Sequence, residues 1–110
     1  MKKQVIEFEI SLFREKVFVC ISSSEELKEF FSETELTGCD FSNSGLSFGA
    51  THNDGKYRRV IWLRERVMST FVHEAYHITK YILDYAGVEC HETGAYLMEF
   101  IYSETIRNLK

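Results

Sequence analysis

Two of the four histidines in this chain stand four residues apart with a glutamate beside the first, in the run His73-Glu74-Ala75-Tyr76-His77. Imidazole nitrogens are metal ligands, and residues four apart on an α-helix lie one turn apart on the same face. At that spacing two imidazoles converge on one ion, and Glu74 reaches a water bound to it. Zinc suits the set. It takes nitrogen ligands, keeps one position open in catalytic sites, and lowers the pKa of its water so that a neighbouring carboxylate can accept the proton. His73 and His77 are therefore candidate zinc ligands, and Glu74 is the candidate general base. The competing reading is a pair of solvated helix histidines that bind nothing. The motif arises by chance in a chain of this length about once in several hundred sequences, so its setting has to decide.

The setting is a helix. From Arg66 to about Ala86 the apolar residues recur with helical period, and Gly87 supplies a C-terminal stop. On a wheel of about 100° per residue, Val67, Met68, Phe71, Val72, Ala75, Ile78, Ile82 and Leu83 fall in one broad apolar arc. His73 and His77 lie on the opposite side with Ser69, Thr70, Lys80 and Asp84. After the short link from Val88 to His91, a last helix is predicted from about Glu92 to Arg107. A catalytic zinc takes a third protein ligand, and the downstream candidates are Glu89, His91, Glu92 and Glu99. No further histidine follows at the short spacing of the metzincins. Glu92 shares a helix face with Tyr96, Glu99 and Ser103, and a helix returning across so short a link can lay that polar face against His73 and His77. Any one of these glutamates also has a bland reading, a solvated carboxylate favoured by the helix dipole. Tyr96 is a candidate to orient a ligand or donate to a developing oxyanion, against the plain alternative of a packed aromatic.

The runs Val72-His73-Glu74-Ala75-Tyr76-His77 and Glu92-Thr93-Gly94-Ala95-Tyr96-Leu97 resemble a group of small single-domain zinc peptidases of bacteriophages and prophages. In that group an HExxH helix is followed by a helix beginning Glu-x-x-Ala-Tyr. The resemblance covers roughly residues 57 to 102; its first motif is moderately specific, and its second counts only in combination. It implies a gluzincin-like site, with His73, His77 and Glu92 on zinc and Glu74 as base, in a minimal zincin-like α+β domain. It also implies that the hairpin from Gly45 to Leu63 borders the cleft, where it could pair with an extended substrate. It names no substrate. Gly94 departs from the pattern, standing where a helix former or an aromatic is expected, and the first 50 residues carry no motif of the group.

The elements around the site follow from patterning. Ile6, Phe8, Ile10 and Leu12 alternate with polar residues, Arg14-Glu15-Lys16 reads as a turn, and Val17 to Ile21 as a second strand. Ser23 and Glu26 form a capping-box pattern that opens a helix from about Ser24 to Thr34. Leu46, Phe48 and Ala50 alternate ahead of the turn His52-Asn53-Asp54-Gly55, with His52 exposed in it, and Tyr57 to Leu63 returns as a strand. Its run Val60-Ile61-Trp62-Leu63 is apolar without alternation, as in a strand covered on both faces. The order ββαββαα describes one α+β domain with an antiparallel or mixed sheet and helices packed on it.

Composition sets the bounds. A chain of 110 residues with 45% hydrophobic and 15% aromatic residues builds one packed domain. A formal net charge of -4, with no basic run longer than a pair, argues against a nucleic-acid partner. The charged residues Glu7 and Glu9 break any signal-peptide core, and no run approaches a membrane span. Cys20, Cys39 and Cys90 are odd in number and far apart, which reads as reduced, mostly buried thiols in a cytoplasmic protein. The leading expectation is a zinc-dependent metallopeptidase acting on a peptide or protein. The rivals are a catalytically weak or inactive zincin-fold interaction protein of phage or prophage origin, and a zinc hydrolase with a non-peptide substrate. An intact Glu74 favours catalysis, because a purely structural zinc site has no use for it; fold alone does not separate the three.

Overall fold

The computed structural model describes residues 3–110. Strand β1 (Gln4–Ile10) alternates buried Ile6, Phe8 and Ile10 with exposed Val5, Glu7 and Glu9, the period of a strand with one covered face. It turns through a 3-10 segment (Ser11–Phe13) and Arg14, whose left-handed backbone (φ 55°) completes the reversal. Strand β2 (Glu15–Ile21) then runs back antiparallel to it. The anticipated hairpin is present, but its turn sits earlier in the chain. Leu12 is exposed in the turn, and Glu15 and Lys16 are already extended, because the left-handed residue is Arg14.

A second hairpin pairs β3 (Gly45–Thr51) with β4 (Tyr57–Leu63). The four strands make one mixed sheet in the order β1-β2-β4-β3, with β2 and β4 parallel. These central strands are covered on both faces. Val17, Val19, Ile21, Ile61 and Leu63 face one core, and Phe18, Cys20, Val60 and Trp62 face another. That is why both strands lack polar alternation.

The second core is closed by the segment between β2 and β3. Its short helix α1 (Ser24–Leu27) has the expected capping box, with Ser23 and Glu26 bonding reciprocally, but it stops at Lys28 and does not reach Thr34. The chain continues in tight turns, Phe30 N–H donating to Leu27 O at 3.1 Å and Leu36 N–H to Ser32 O at 3.2 Å. These turns bring Phe30 and Phe31 both onto Phe18, each with ring centroids 5.2 Å away. Neighbouring positions on a helix diverge by about 100°, so an extended helix would draw one of the two away. His52 joins this cluster, 5.3 Å from Phe31 and 5.6 Å from Phe18, and so is half-buried instead of exposed in its turn. Of the cysteines only Cys20 is buried; Cys39 is half-buried, Cys90 is exposed, and all three are free.

The first core lies under α2 (Met68–Ala86) and α3 (His91–Asn108). Helix α2 ends where Gly87 adopts φ 73°, a conformation glycine reaches without steric cost. Phe71, Ala75, Ile78 and Ile82 are buried, but Val67, Met68 and Val72, placed in the same arc by the wheel, are exposed. The buried stripe instead includes Glu74 and Thr79, because α2 turns toward the sheet on one flank and toward α3 on the other. Thr79 is accommodated by donating its hydroxyl to Ala75 O at 2.9 Å. Gly94 lies at the helix–helix contact, where an added Cβ would come within 3.2 Å of Leu83 Cδ1, and α3 runs unbroken through it. No helix among the described residues is long and apolar enough to cross a membrane.

Gly45 governs how close β3 comes to α2. A Cβ there would meet Thr70 Cγ2 at 2.8 Å and Leu63 Cδ2 and Trp62 O at 3.1 Å. Gly45→Ala is expected to lower stability by about 1–3 kcal/mol in urea unfolding. A variant as stable as the parent would show that β3 and α2 can part without loss.

Candidate metal centre

The burial of Phe71, Ala75, Ile78 and Ile82 against the sheet turns His73 and His77 outward, one turn apart. Their Nε2 atoms are 3.2 Å apart, and the rings stand at 77° with centroids 4.8 Å apart. Two nitrogens at that distance either share one N–H···N bond or aim two lone pairs at one ion. With Zn–N bonds of about 2.0–2.1 Å, the separation subtends an angle of about 100°, close to tetrahedral. One ring nitrogen from each histidine and a carboxylate oxygen of Glu74 lie within 4.8 Å of one another, the one such cluster among the described residues. Two imidazole nitrogens beside a carboxylate are a donor set that could hold a metal ion. Glu74 itself is only 7% exposed, held on the flank of α2 between solvent and core. Tyr81, a turn past His77, stacks on that imidazole at 6.2 Å and 21° and limits its swing.

Opposite these side chains runs the edge of the sheet. A cleft of about 590 Å³ separates Asn43–Ser47 from the α2 face that carries His73, Glu74, His77 and Tyr81. Strand β3 is an edge strand, and its register fixes which groups point outward. Arg64 N–H donates to Ser44 O and His52 N–H to Lys56 O, so the even-numbered residues of β3 bond to β4. By antiparallel alternation, the N–H and C=O groups of Gly45, Ser47, Gly49 and Thr51 face the free edge. Thr51 N–H is taken by the Glu35 carboxylate. The open stretch of edge is therefore Gly45 to Gly49, alongside the histidine pair.

The downstream candidates lie elsewhere. Glu92, Tyr96, Glu99 and Ser103 do share one face of α3, as read from the sequence, but that face is exposed to solvent. Leu97, Ile101 and Thr105 are buried, Gly94 meets Leu83 of α2, and Ala95 and Met98 line a groove between the two helices with Tyr76 and Thr79. The apolar and small residues of α3 thus set its rotation and carry the polar stripe away from His73 and His77. Glu92, Glu89, Glu99 and His91 are outside the metal-capable cluster. Tyr96 borders a separate apolar groove with Leu12, Phe13 and Phe100. At the start of α3, hydrogen bonds from the Thr93 side chain, then from the backbone N–H groups of Thr93 and Glu92, hold the exposed Cys90 thiol below its ordinary pKa. The residues that do line the cleft, Gly45 and Ser47, carried a faint signal in the small side chains at alternate positions Gly45, Ser47 and Gly49. Compared with protein-family models, with curated proteins and with solved structures, the chain finds no match in any of the three.

Zinc titration of the chain separates ligands from bystanders. His73→Ala and His77→Ala are each expected to weaken binding by about 100-fold or more, while Glu92→Ala, on this geometry, changes it by less than about twofold. A loss on Glu92→Ala equal to that of the histidine variants would mean that α3 repacks to bring its carboxylate to the ion.

Proposed function

We propose that this chain is a zinc-dependent hydrolase, a small zincin-like metallopeptidase of the kind its HExxH run resembles. One observation carries the reading: a convergent imidazole pair, with a shielded carboxylate beside it, faces an open strand edge across a cleft.

His73 and His77 would hold the ion through Nε2. Zinc bound there supplies Lewis acidity toward a carbonyl oxygen and acidifies its water. The free N–H and C=O groups of Gly45, Ser47 and Gly49 would pair with an extended polypeptide, adding it as a strand beside β3 and laying one of its peptide bonds against the histidines. Holding the reacting atoms in place in this way removes much of the entropic cost of their encounter. The Glu74 carboxylate would accept a proton from the attacking water and return it to the leaving amine nitrogen, serving as base and then acid. Its low exposure keeps bulk water from competing for that proton. Glu92 and Tyr96 have no part in this sequence, since neither borders the cleft.

The same fact favours a second reading. With Glu92 turned to solvent, the histidines and Glu74 are the metal-capable His, Cys, Asp and Glu cluster among the described residues, fewer than the three ligands besides the base that a catalytic zinc takes. A zincin-fold interaction protein, binding an extended segment without cleaving it, needs no more. The two readings part on Glu74→Gln. The peptidase reading expects zinc affinity within a few-fold of the parent and hydrolysis of a mixed peptide library reduced by about 10³-fold or more, followed by mass spectrometry. A parent chain that binds zinc and peptides but leaves the library intact would favour the interaction protein.

A further inference from the structure

The cleft reaches Tyr81, one turn past His77, and the same face of α2 goes on to Tyr85. His73, His77, Tyr81 and Tyr85 follow one another at single-turn spacing, and α2 runs alongside β3 from Thr70 at Gly45 toward Tyr85 near Arg59, the partner of Gly49. Beyond the metal pair the wall becomes aromatic. The Arg59 guanidinium lies between two rings, 5.3 Å from the centre of Tyr57 and 5.6 Å from that of Tyr85. Both Glu15 oxygens hold it, at 3.0 and 3.2 Å, and it also donates to the Tyr57 hydroxyl at 3.5 Å. Tyr57 leans from β4 across β3, over Gly49, where an added Cβ would overlap its hydroxyl. The three rings nonetheless remain open, with exposures of 51% for Tyr57, 41% for Tyr81 and 83% for Tyr85. Tyr57 and Tyr85 flank the paired Arg59 and Tyr81 lies one turn before Tyr85, so exposed aromatic surface gathers beside the free strand edge, as it does at binding sites.

We propose that Tyr57, Tyr81 and Tyr85 form a specificity subsite that takes an aromatic side chain of a polypeptide bound along β3. This deepens the peptidase reading and rests on it for the placement of the cleaved bond. Side chains on one face of a strand recur every second residue. The step from Ser47, beside the histidines, to Gly49, beneath Tyr57, therefore puts the recognised residue about two positions from that bond. The resident cation selects the chemistry. A lysine or arginine would find the cation site of Tyr57 and Tyr85 already taken by the Arg59 guanidinium, and an acidic side chain would find that guanidinium already paired with Glu15. An aromatic ring needs neither, and stacks on or edges against the exposed tyrosines.

The test uses the full chain carrying Glu74→Gln, loaded with zinc, and capped heptapeptides of alanine and serine with Phe, Lys or Glu moved through each position. Binding is measured by titration calorimetry. A Phe at one position is expected to tighten binding about tenfold over the parent peptide, with no gain from Lys or Glu there. Tyr85→Ala and Tyr57→Ala should each remove most of that gain. Tyr85 is so exposed that its truncation leaves the fold intact, and it decides the matter if Tyr57→Ala does not fold. A larger gain from Lys or Glu, a Phe gain that survives Tyr85→Ala, or no binding by any peptide overturns the subsite. The chain with Glu74 restored separates the two ideas. Cleavage of peptides without aromatic preference rejects the subsite and keeps the hydrolase; a tyrosine-dependent Phe gain without cleavage rejects the hydrolase and keeps the subsite.

Discussion

The rotation of α2 about its own axis governs the rest of this structure. A helix has no intrinsic reason to present one face in one direction; that is settled by what it buries. Here Phe71, Ala75, Ile78 and Ile82 share one core with the inward residues of β2 and β4, and Leu83 meets α3. With those contacts made, His73 and His77 can only point outward over β3, and Glu74 falls at the border between core and cleft. Full burial of a large apolar side chain stabilises by about 1.5–3 kcal/mol, so turning the helix by even one residue would cost several such contacts. The site's geometry is thus held by groups that take no part in its chemistry.

The sheet makes that hold possible. Parallel pairing of β2 with β4 puts the apolar runs Val17–Ile21 and Val60–Leu63 side by side at the centre. One face receives the helices, and the turns and short helix after β2 cover the other, with Phe18, Phe31 and Trp62 among the buried residues. The outermost strand on one side is left free because β3 is paired only with β4. A rigid centre with an unpaired edge is a suitable platform for a cleft. The helix supplies side chains and the edge supplies backbone groups, and Gly45 lets the two approach.

Much of this was legible in the chain. The period-2 and helical repeats placed every strand and both long helices to within a few residues, because a local pattern reports local burial. The motif placed His73, Glu74 and His77 together, since four residues on a helix is a fixed geometry. What pattern did not reveal was relational. The wheel put Val67, Met68 and Val72 in the apolar arc, but which apolar residues are covered depends on where the sheet and α3 end. Glu92, Tyr96, Glu99 and Ser103 do form one stripe, yet a stripe's direction is set by the opposite face of its helix. Gly94, odd by helix propensity, is explained by contact with Leu83. The turns after Leu27 were hidden for a similar reason, as Phe30 and Phe31 answer to Phe18, which is distant in sequence.

The Glu35 carboxylate that caps Thr51 N–H has a consequence of a different kind. A bare sheet edge invites any other edge, including that of a second folded molecule, and long flat edges are where proteins stick to themselves. Here the receptive stretch ends with Gly49, so it spans only about 13 Å at a strand's usual rise. One wall of that stretch is α2, which stands over the same face of the sheet. Glu35 thus sets the length of bare edge that β3 presents, ending it at Gly49.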